Sequence, residues 1–88
     1  MKVEFLDKFS KDLDKIDDKK IKKKVIDVIE DIESTDKLSK LINVQKLSGF
    51  KTAYRIQLGD YRIGFFFENE IVELARIIHR KDIYKVFP

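Results

Sequence analysis

Two alternating runs, residues 54–58 and 61–67, meet at the Gly-Asp dipeptide of positions 59–60. Alternation of polar and apolar side chains is typical of a half-buried strand. Glycine in the first position of a two-residue connection favours a tight hairpin turn. The sequence therefore predicts an antiparallel hairpin in which Leu58 lies opposite Tyr61.

The predicted hairpin has two chemically different faces. One face carries Tyr54, Ile56, Leu58, Tyr61, Ile63, Phe65 and Phe67, and the other carries Arg55, Gln57, Arg62, Gly64 and Phe66. A shift of one residue would bury two arginines, so the side-chain pattern specifies the register. The apolar face is expected to pack against helices.

The N-terminal half of the chain predicts a short strand followed by a helical hairpin. Residues 3–5 have the composition of a strand, and apolar residues recur at helical spacing over 6–16 and again over 21–32. Asp18, just before the second helix, is expected to be its N-cap. Residues 37–42 predict a further short helical turn.

The C-terminal third predicts one more strand and a last helical turn. Residues 68–70 form a second turn, 71–79 a third strand, and 81–87 a short helix. The predicted fold class is therefore α+β: an N-terminal strand and a helix hairpin packed on an antiparallel β-meander, with a short C-terminal helix. The length of 88 residues predicts a single domain, 1–88.

The register of the third strand leaves the position of Arg76 open. The predicted partners are Phe67 with Val72, Phe65 with Leu74 and Arg62 with Ile77. They put Val72, Leu74 and Ile78 on the core face, and Glu73, Ala75 and His79 on the polar face. Arg76 would share the core face, so either it emerges at the sheet margin with its stem buried or a bulge turns it outward.

The composition excludes several classes of protein. There is no cysteine and only one histidine, which argues against disulfides, thiol catalysis and a structural zinc site. We expect no metal and no cofactor. No apolar run approaches the length of a membrane span, and Met1–Phe5 is too short and too charged for a signal peptide. These features predict a cytoplasmic protein without a membrane partner.

The arginines are concentrated in the C-terminal half, where they predict an anion site. All four lie between positions 55 and 80, and residues 1–45 contain lysine only. A guanidinium group matches phosphate oxygens in pairs, whereas lysine acts as a point charge. The predicted polar face carries Arg55, Gln57, Arg62 and His79, with Arg80, Lys81 and Tyr84 at its rim. Such a set suits RNA; the alternative is a solvated face with cross-strand ion pairs.

A run of lysines opens the second predicted helix. Its members are Lys19, Lys20, Lys22, Lys23 and Lys24. Cations are unfavourable at the N-terminal end of a helix dipole. The run therefore indicates either a solvated face or a surface that contacts nucleic acid.

Three segments resemble the RelE/ParE toxin superfamily of type II toxin–antitoxin modules. Residues 54–65 resemble its central hairpin, His79–Tyr84 its C-terminal motif, and Leu47–Phe50 the loop before the hairpin. The resemblance extends over essentially the whole chain. It implies a small α+β toxin, related in fold to microbial ribonucleases.

The resemblance implies one of two activities. RelE-type members cleave mRNA in the ribosomal A site by attack of a 2′-hydroxyl on the adjacent phosphate. ParE-type members inhibit DNA gyrase and lack the catalytic set, and an inactive homologue that only binds antitoxin is a third possibility. The expected partners are mRNA, the ribosome and a cognate antitoxin, through which the complex binds operator DNA.

The resemblance also suggests roles for individual residues. Arg62 matches the arginine that holds the scissile phosphate, Arg80 or Lys81 the cation that stabilises the leaving group, and Tyr84 the aromatic that stacks on the substrate. These residues and His79 form the predicted catalytic set.

The general base is the least defined member of the predicted site. Some RelE toxins carry two lysines where this chain has Arg55 and Gln57, which are expected to bind substrate instead. Neither side chain can accept a proton, so His79 is the predicted base. Lys51 and Lys46, in the loop before the hairpin, are weaker alternatives with a substrate-binding role.

Two phenylalanines are further candidates for a partner contact. Phe66 and Phe87 are predicted to be exposed and could contact the antitoxin. Core packing explains Phe87 equally well.

Overall fold

A five-stranded sheet with two helices on one face forms the body of the protein, as a computed structural model of all 88 residues shows. The elements are β1 (Lys2–Phe5), α1 (Asp7–Asp14), α2 (Lys19–Ser34), a 3-10 turn (Leu38–Lys40), β2 (Val44–Lys46), β3 (Ala53–Leu58), β4 (Tyr61–Glu68), β5 (Ile71–His79) and α3 (Ile83–Val86). The strand order is β1-β5-β4-β3-β2, with β1 parallel to β5 and the other pairs antiparallel. The predicted α+β class is confirmed.

The strand β2 was missed by the sequence analysis, which assigned Lys46 to a loop. It is only three residues long and lies at the sheet edge, so it has no alternation long enough to be recognised. In the structure it pairs with β3, with Gln45 opposite Arg55 and Lys46 opposite Tyr54.

The predicted start of α2 is confirmed. The Asp18 carboxylate accepts hydrogen bonds from the backbone N–H groups of Lys20 and Ile21, at 2.9 and 3.3 Å. Two of the N–H groups that a helix start leaves unpaired are thereby satisfied. No helix has the length and apolar character needed to span a membrane.

Replacing Asp18 with alanine is expected to lower the free energy of unfolding by about 1 kcal/mol, because the cap is lost. Urea denaturation followed by circular dichroism measures this change. Asp17→Ala is the matched control, since Asp17 is an exposed acid beside Asp18 that forms no hydrogen bond or ion pair. Equal effects of the two substitutions would contradict the assignment of the cap.

The β3–β4 hairpin has the predicted register. The pairs run from Leu58 opposite Tyr61 to Ala53 opposite Phe66. Gly59 adopts a left-handed φ of 60° in the turn, a conformation that glycine adopts without the steric cost of a side chain. The local sequence thus determines this part of the sheet.

A bulge in β5 makes the predicted register wrong beyond Leu74. Phe67 lies opposite Val72 and Phe65 opposite Leu74, as expected, but Gly64 then lies opposite Arg76, which leaves Ala75 as the extra residue. The later pairs are Ile63 with Ile77, Arg62 with Ile78 and Tyr61 with His79. The side chains beyond the bulge therefore point to the faces opposite to those predicted.

The sheet has an apolar cluster on each face. The helix-facing core consists of Phe9, Ile16, Ile21, Val25, Ile32, Ile56, Leu58, Ile63, Phe65, Val72, Leu74 and Ile77. On the other face, called the outer face below, Leu47, Ala53, Ala75, Ile83 and Phe87 form a second buried cluster, with Phe66 and Ile78 packed against it. The expectation that Ala75 is on a polar surface and Ile78 in the main core is therefore wrong.

The outer cluster exists because α3 folds back over the sheet. The ring of Phe87 lies over Gly64 and is 3% exposed, and it contacts the half-buried ring of Phe66 at a centroid distance of 5.1 Å. The prediction that Phe66 and Phe87 are exposed is thus wrong, and the alternative of core packing for Phe87 is confirmed.

Candidate functional site

Three polar side chains of the β3–β4 hairpin lie together on the outer face, beside the α3 cluster. Arg55 and Gln57 are alternate residues of β3, and Arg62 of β4 lies directly opposite Gln57. We call Arg55, Gln57 and Arg62 the arginine strip. The predicted grouping of these three residues is confirmed, because it depends only on the hairpin register.

Arg62 is held in place by the turn of its own hairpin. Its Nη1 atom donates to the carbonyl oxygens of Gly59 and Tyr61, at 2.7 and 2.9 Å. No carboxylate lies within 4.0 Å of the guanidinium group. Arg62 is therefore oriented by neutral oxygens, and its positive charge is not neutralised by an acid.

Arg55 has a similar environment. Its Nη2 atom donates to the side-chain oxygen of Gln45, which lies opposite it on β2. Gln45 is uncharged, and Arg55 forms no ion pair. The strip thus carries two full positive charges, which favours the prediction of an anion site over that of a face with cross-strand ion pairs.

Arg80 lies near the same turn as Arg62. Its backbone N–H donates to the carbonyl oxygen of Asp60 at 2.8 Å, and its Nε atom is 4.0 Å from the Asp60 carboxylate. Both side chains are largely exposed, so this pair contributes little energy and leaves Arg80 free to move. Lys81, the next residue, is exposed.

Tyr84 presents an aromatic ring to solvent. It lies in α3 next to the fully buried Ile83 and is 60% exposed. Its hydroxyl group makes no hydrogen bond within the protein. An exposed ring on a short helix anchored by Ile83 and Phe87 has the properties of a stacking surface.

His79 does not lie on the outer face, contrary to prediction. The bulge at Ala75 turns it to the helix-facing side, opposite Tyr61, with a ring-centroid distance of 5.8 Å. Its Nδ1 atom accepts a hydrogen bond from the backbone N–H of Lys81 at 3.2 Å. Neutral imidazole has one acceptor nitrogen, and here that nitrogen is occupied, so His79 is poorly placed to act as a base for a substrate at the strip.

The two loop lysines differ in position. Lys46 lies opposite Tyr54, whose ring packs against the helix-facing core, so Lys46 is on the face opposite to Arg55. Lys46 therefore does not share the face of the strip, because the strand β2 alternates its side chains, and its substrate role stays a prediction. Lys51 is exposed in the loop between β2 and β3, and its substrate role stays a prediction.

Arg76 forms an ion pair with an aspartate that the sequence analysis did not single out. Its Nε and Nη2 atoms donate to the Asp12 carboxylate at 2.7 and 3.0 Å, and the backbone N–H of Ile77 donates to the same carboxylate at 3.1 Å. The hydrogen bond to Asp12 raises the pKa of Arg76 above its usual value. Arg76 thus belongs to the sheet margin, and both predicted alternatives, a margin position and a bulge, occur together.

The sequence contains a signal for Asp12. It lies three residues after Phe9 and four before Ile16, so it falls within the apolar stripe of the first helix. A carboxylate in such a stripe needs a buried partner. Arg76 was the one arginine whose face of the sheet the predicted register left open.

Comparison with known proteins gives a consistent picture. The model of the ParE toxin of type II toxin–antitoxin systems, parDE, matches residues 3–84. Toxin RelE3 of Methanocaldococcus jannaschii is 36% identical over 89 residues, with 100% of both chains covered.

Solved structures share the fold. The toxin in the RelB-RelE antitoxin–toxin complex from Methanococcus jannaschii matches with a TM-score of 0.83 at 32% identity, covering 97% of this chain and 99% of that one. The YoeB dimer from Staphylococcus aureus matches with a TM-score of 0.73 at 18% identity, covering 91% and 97%. The archaeal RelE-RelB complex from Pyrococcus horikoshii gives 0.71 at 20% identity, covering 90% and 93%.

Proposed function

Because the chain belongs to the ParE toxin family of type II toxin–antitoxin systems and is RelE-like, we propose that it arrests growth by cleaving mRNA on the ribosome. The observation that carries this proposal is the arginine strip. Two guanidinium groups face solvent without an acid beside them, and the exposed ring of Tyr84 lies on the helix that covers the rest of that face. Phosphate and base are the ligands that match such a surface.

The proposed reaction is an in-line transfer at phosphorus. The 2′-oxygen attacks the adjacent phosphate, the bond to the 5′-oxygen breaks, and the products are a 2′,3′-cyclic phosphate and a 5′-hydroxyl. Arg62, supported by Arg55, would hold the phosphate oxygens and stabilise their negative charge in the transition state. Arg80 or Lys81 would stabilise the departing 5′-oxygen, which takes up a proton.

The proton of the attacking 2′-hydroxyl has no obvious acceptor among the strip residues. Arginine and glutamine do not accept protons, and His79 lies on the other side of the sheet. In our proposal the proton passes to water, and the rate depends on holding the 2′-oxygen in line with the phosphate. The cleavage rate at such a site increases most when another molecule holds the RNA in position. We therefore propose that the ribosome positions the mRNA for the reaction.

The proposed partner that restrains the toxin is a cognate antitoxin. The RelE chains from Methanococcus jannaschii and Pyrococcus horikoshii were solved in complex with RelB antitoxin. By analogy, we propose a cytoplasmic toxin–antitoxin complex that binds operator DNA through the antitoxin. Co-expression with the product of a neighbouring gene, followed by purification through a tag on one chain, tests this partner.

A gyrase inhibitor of the ParE type is the second candidate function. The match to the ParE toxin model and the displaced His79 favour it, because a ParE-type toxin needs no catalytic base. Primer extension on mRNA after induction separates the two: cleavage within codons supports the nuclease, and double-strand DNA breaks with intact mRNA support the inhibitor. If neither occurs, the chain is an inactive homologue that binds antitoxin.

Replacing Arg62 with alanine is expected to reduce mRNA cleavage about tenfold to a hundredfold. Loss of one stabilising donor at an oxyanion reduces rates by more than this in closed sites, but Arg62 faces solvent, where charges are screened. Primer extension on a reporter mRNA, with purified ribosomes, measures the rate.

Two controls accompany the Arg62 variant. Arg62→Lys keeps the charge without the guanidinium fork and should retain part of the activity. The thermal midpoint of each variant must also be measured, since Arg62 bonds the turn at Gly59. Unchanged cleavage by a folded Arg62→Ala protein would contradict the proposed site.

A further inference from the structure

The charges of α2 run against the dipole of the helix. Its first six residues include Lys19, Lys20, Lys22, Lys23 and Lys24, and no acid lies in its first turn. Its second half carries the acids Asp27, Glu30, Asp31 and Glu33, and no basic residue lies in its last turn. Cations at the N-terminal end and acids at the C-terminal end both destabilise a helix. Because these lysines reduce the stability of the helix, we looked for a binding role that would explain them.

None of these five lysines is neutralised by an acid. Other exposed lysines form ion pairs, as Lys2 does with Glu4, Lys40 with Asp36 and Lys85 with Asp82. No lysine between positions 19 and 24 has a carboxylate within 4.0 Å. Lys20 and Lys24 are also four residues apart, so that two like charges are neighbours on one side of the helix.

The start of α2 lies against the turn that holds Arg62. A Cβ atom placed on Gly59 would be 3.6 Å from Cδ1 of Ile21, so the helix contacts the hairpin tip there. The carbonyl oxygen of Gly59 accepts a hydrogen bond from Arg62. The part of α2 that carries Lys20 and Lys22 therefore contacts the hairpin turn to which Arg62 is bonded.

Lys24 provides a second link to the strip. It lines a cleft on the helix-facing side, between α2 and the β2–β3 edge, and Gln57 of the strip lines the same cleft although its side chain belongs to the outer face. Lys20 lies one helical turn before Lys24 on the same side. The acids Asp27 and Asp31 follow Lys24 by about one and two helical turns, line the same cleft and would repel phosphate there, so they set the C-terminal limit of any phosphate-binding surface on α2.

We propose that Lys20 and Lys24 extend the arginine strip around the sheet edge, and that together they bind the phosphodiester backbone of a nucleic acid. Lysine acts as a point charge that contacts phosphates irrespective of sequence. The strip would hold the reacting phosphate and the two lysines the flanking ones. This inference rests on the proposed function for its choice of RNA, but binding can be measured without cleavage.

The test uses the double variant Lys20→Gln/Lys24→Gln of the full chain and a fluorescein-labelled RNA hairpin. The hairpin carries 2′-O-methyl groups, which remove the attacking hydroxyl and prevent cleavage. Fluorescence anisotropy is measured at several salt concentrations. We expect about tenfold weaker binding at low salt, and a salt slope that is smaller by about 1.5 because two phosphate contacts are lost.

The matched control is Lys19→Gln/Lys23→Gln. It removes the same charge from the same half of the helix, again from a pair four residues apart. Of the four lysines only Lys24 lines the cleft with Gln57, and Lys19 and Lys23 lie on a different side of the helix from Lys20 and Lys24. Both double variants should melt about 2 to 5 °C higher than the unaltered protein, since both relieve the dipole and the like-charge pair. Only the Lys20/Lys24 variant should lose most of its RNA affinity.

The outcomes separate this inference from the proposed function. Two results would overturn the proposed role of Lys20 and Lys24. One is a Lys20/Lys24 variant with a higher melting temperature and unchanged RNA binding, and the other is an equal loss of RNA affinity in both double variants. A DNA hairpin of the same sequence distinguishes the source of the backbone: equal binding indicates nucleic acid in general, and weaker binding indicates RNA. If the protein binds RNA through these lysines but cleaves no mRNA, the inference stands and the nuclease proposal fails.

Discussion

The Asp12→Ala protein is expected to lose about 3 kcal/mol of its free energy of unfolding. Asp12 is 6% exposed and is the sole acid that pairs with Arg76, whose side chain is 19% exposed. Removing one partner of a buried pair leaves the other charge without compensation and costs about 3 to 5 kcal/mol. The partial exposure of Arg76 places the estimate at the low end.

The same carboxylate also supports the sheet. The strand β1 ends opposite Leu74, so the edge of β5 beyond that point has no neighbouring strand, and Asp12 accepts the N–H of Ile77 there. Without the carboxylate this buried N–H loses its partner, which adds to the cost. Urea denaturation gives the free energy, and calorimetry should show a melting temperature about 15 °C lower.

A double variant tests whether the pairing is the cause. Asp12→Leu combined with Arg76→Met replaces both charges by apolar side chains of similar size, and it should recover most of the loss. Asp12→Asn, which keeps one acceptor oxygen, should fall between alanine and the native residue. If the free energy of unfolding of Asp12→Ala is within about 0.5 kcal/mol of that of the native protein, the ion pair does not stabilise the fold.

The second large effect is expected at Gly64. A Cβ atom there would lie 2.5 Å from Cγ and Cδ2 of Phe87, closer than side chains approach one another. Gly64 does not have a positive φ, so alanine is tolerated by the backbone and the clash with the ring decides the outcome. Gly64→Ala is expected to expel Phe87 and cost about 2 to 3 kcal/mol, the value of exposing a large apolar side chain.

Loss of the Phe87 contact should also release α3. The helix is four residues long and has only Ile83 as its other buried anchor. Amide hydrogen exchange should therefore show faster exchange in residues 81–88 than in the β3–β4 hairpin. Because Tyr84 lies on this helix, the proposed mRNA cleavage should fall as well.

The control is to make Gly64→Ala in a protein that already carries Phe87→Ala. With the ring removed, the added methyl group has space, and Gly64→Ala should then change the stability by less than about 0.5 kcal/mol. If the cost of Gly64→Ala is the same in both backgrounds, the contact with Phe87 is not its cause.

Much of the candidate site follows from local sequence. The alternation on each side of Gly59 determines the hairpin register and, with it, the grouping of Arg55, Gln57 and Arg62. The placement of His79 failed for a reason that no local pattern contains. A bulge at Ala75 allows Leu74 and Ile77 both to enter the helix-facing core, and it inverts every side chain that follows.

The elements with a short-range cause could be read from the chain: the strand alternation, the helix stripes, the Asp18 cap and the glycine turn. Which distant groups meet depends on the packing of the folded chain: Asp12 with Arg76, Phe87 with Gly64, and α2 with the hairpin tip. The physical reason is that periodicity and turn geometry act over a few residues. Buried charges and rings, in contrast, are satisfied by whichever partner the packing brings within reach.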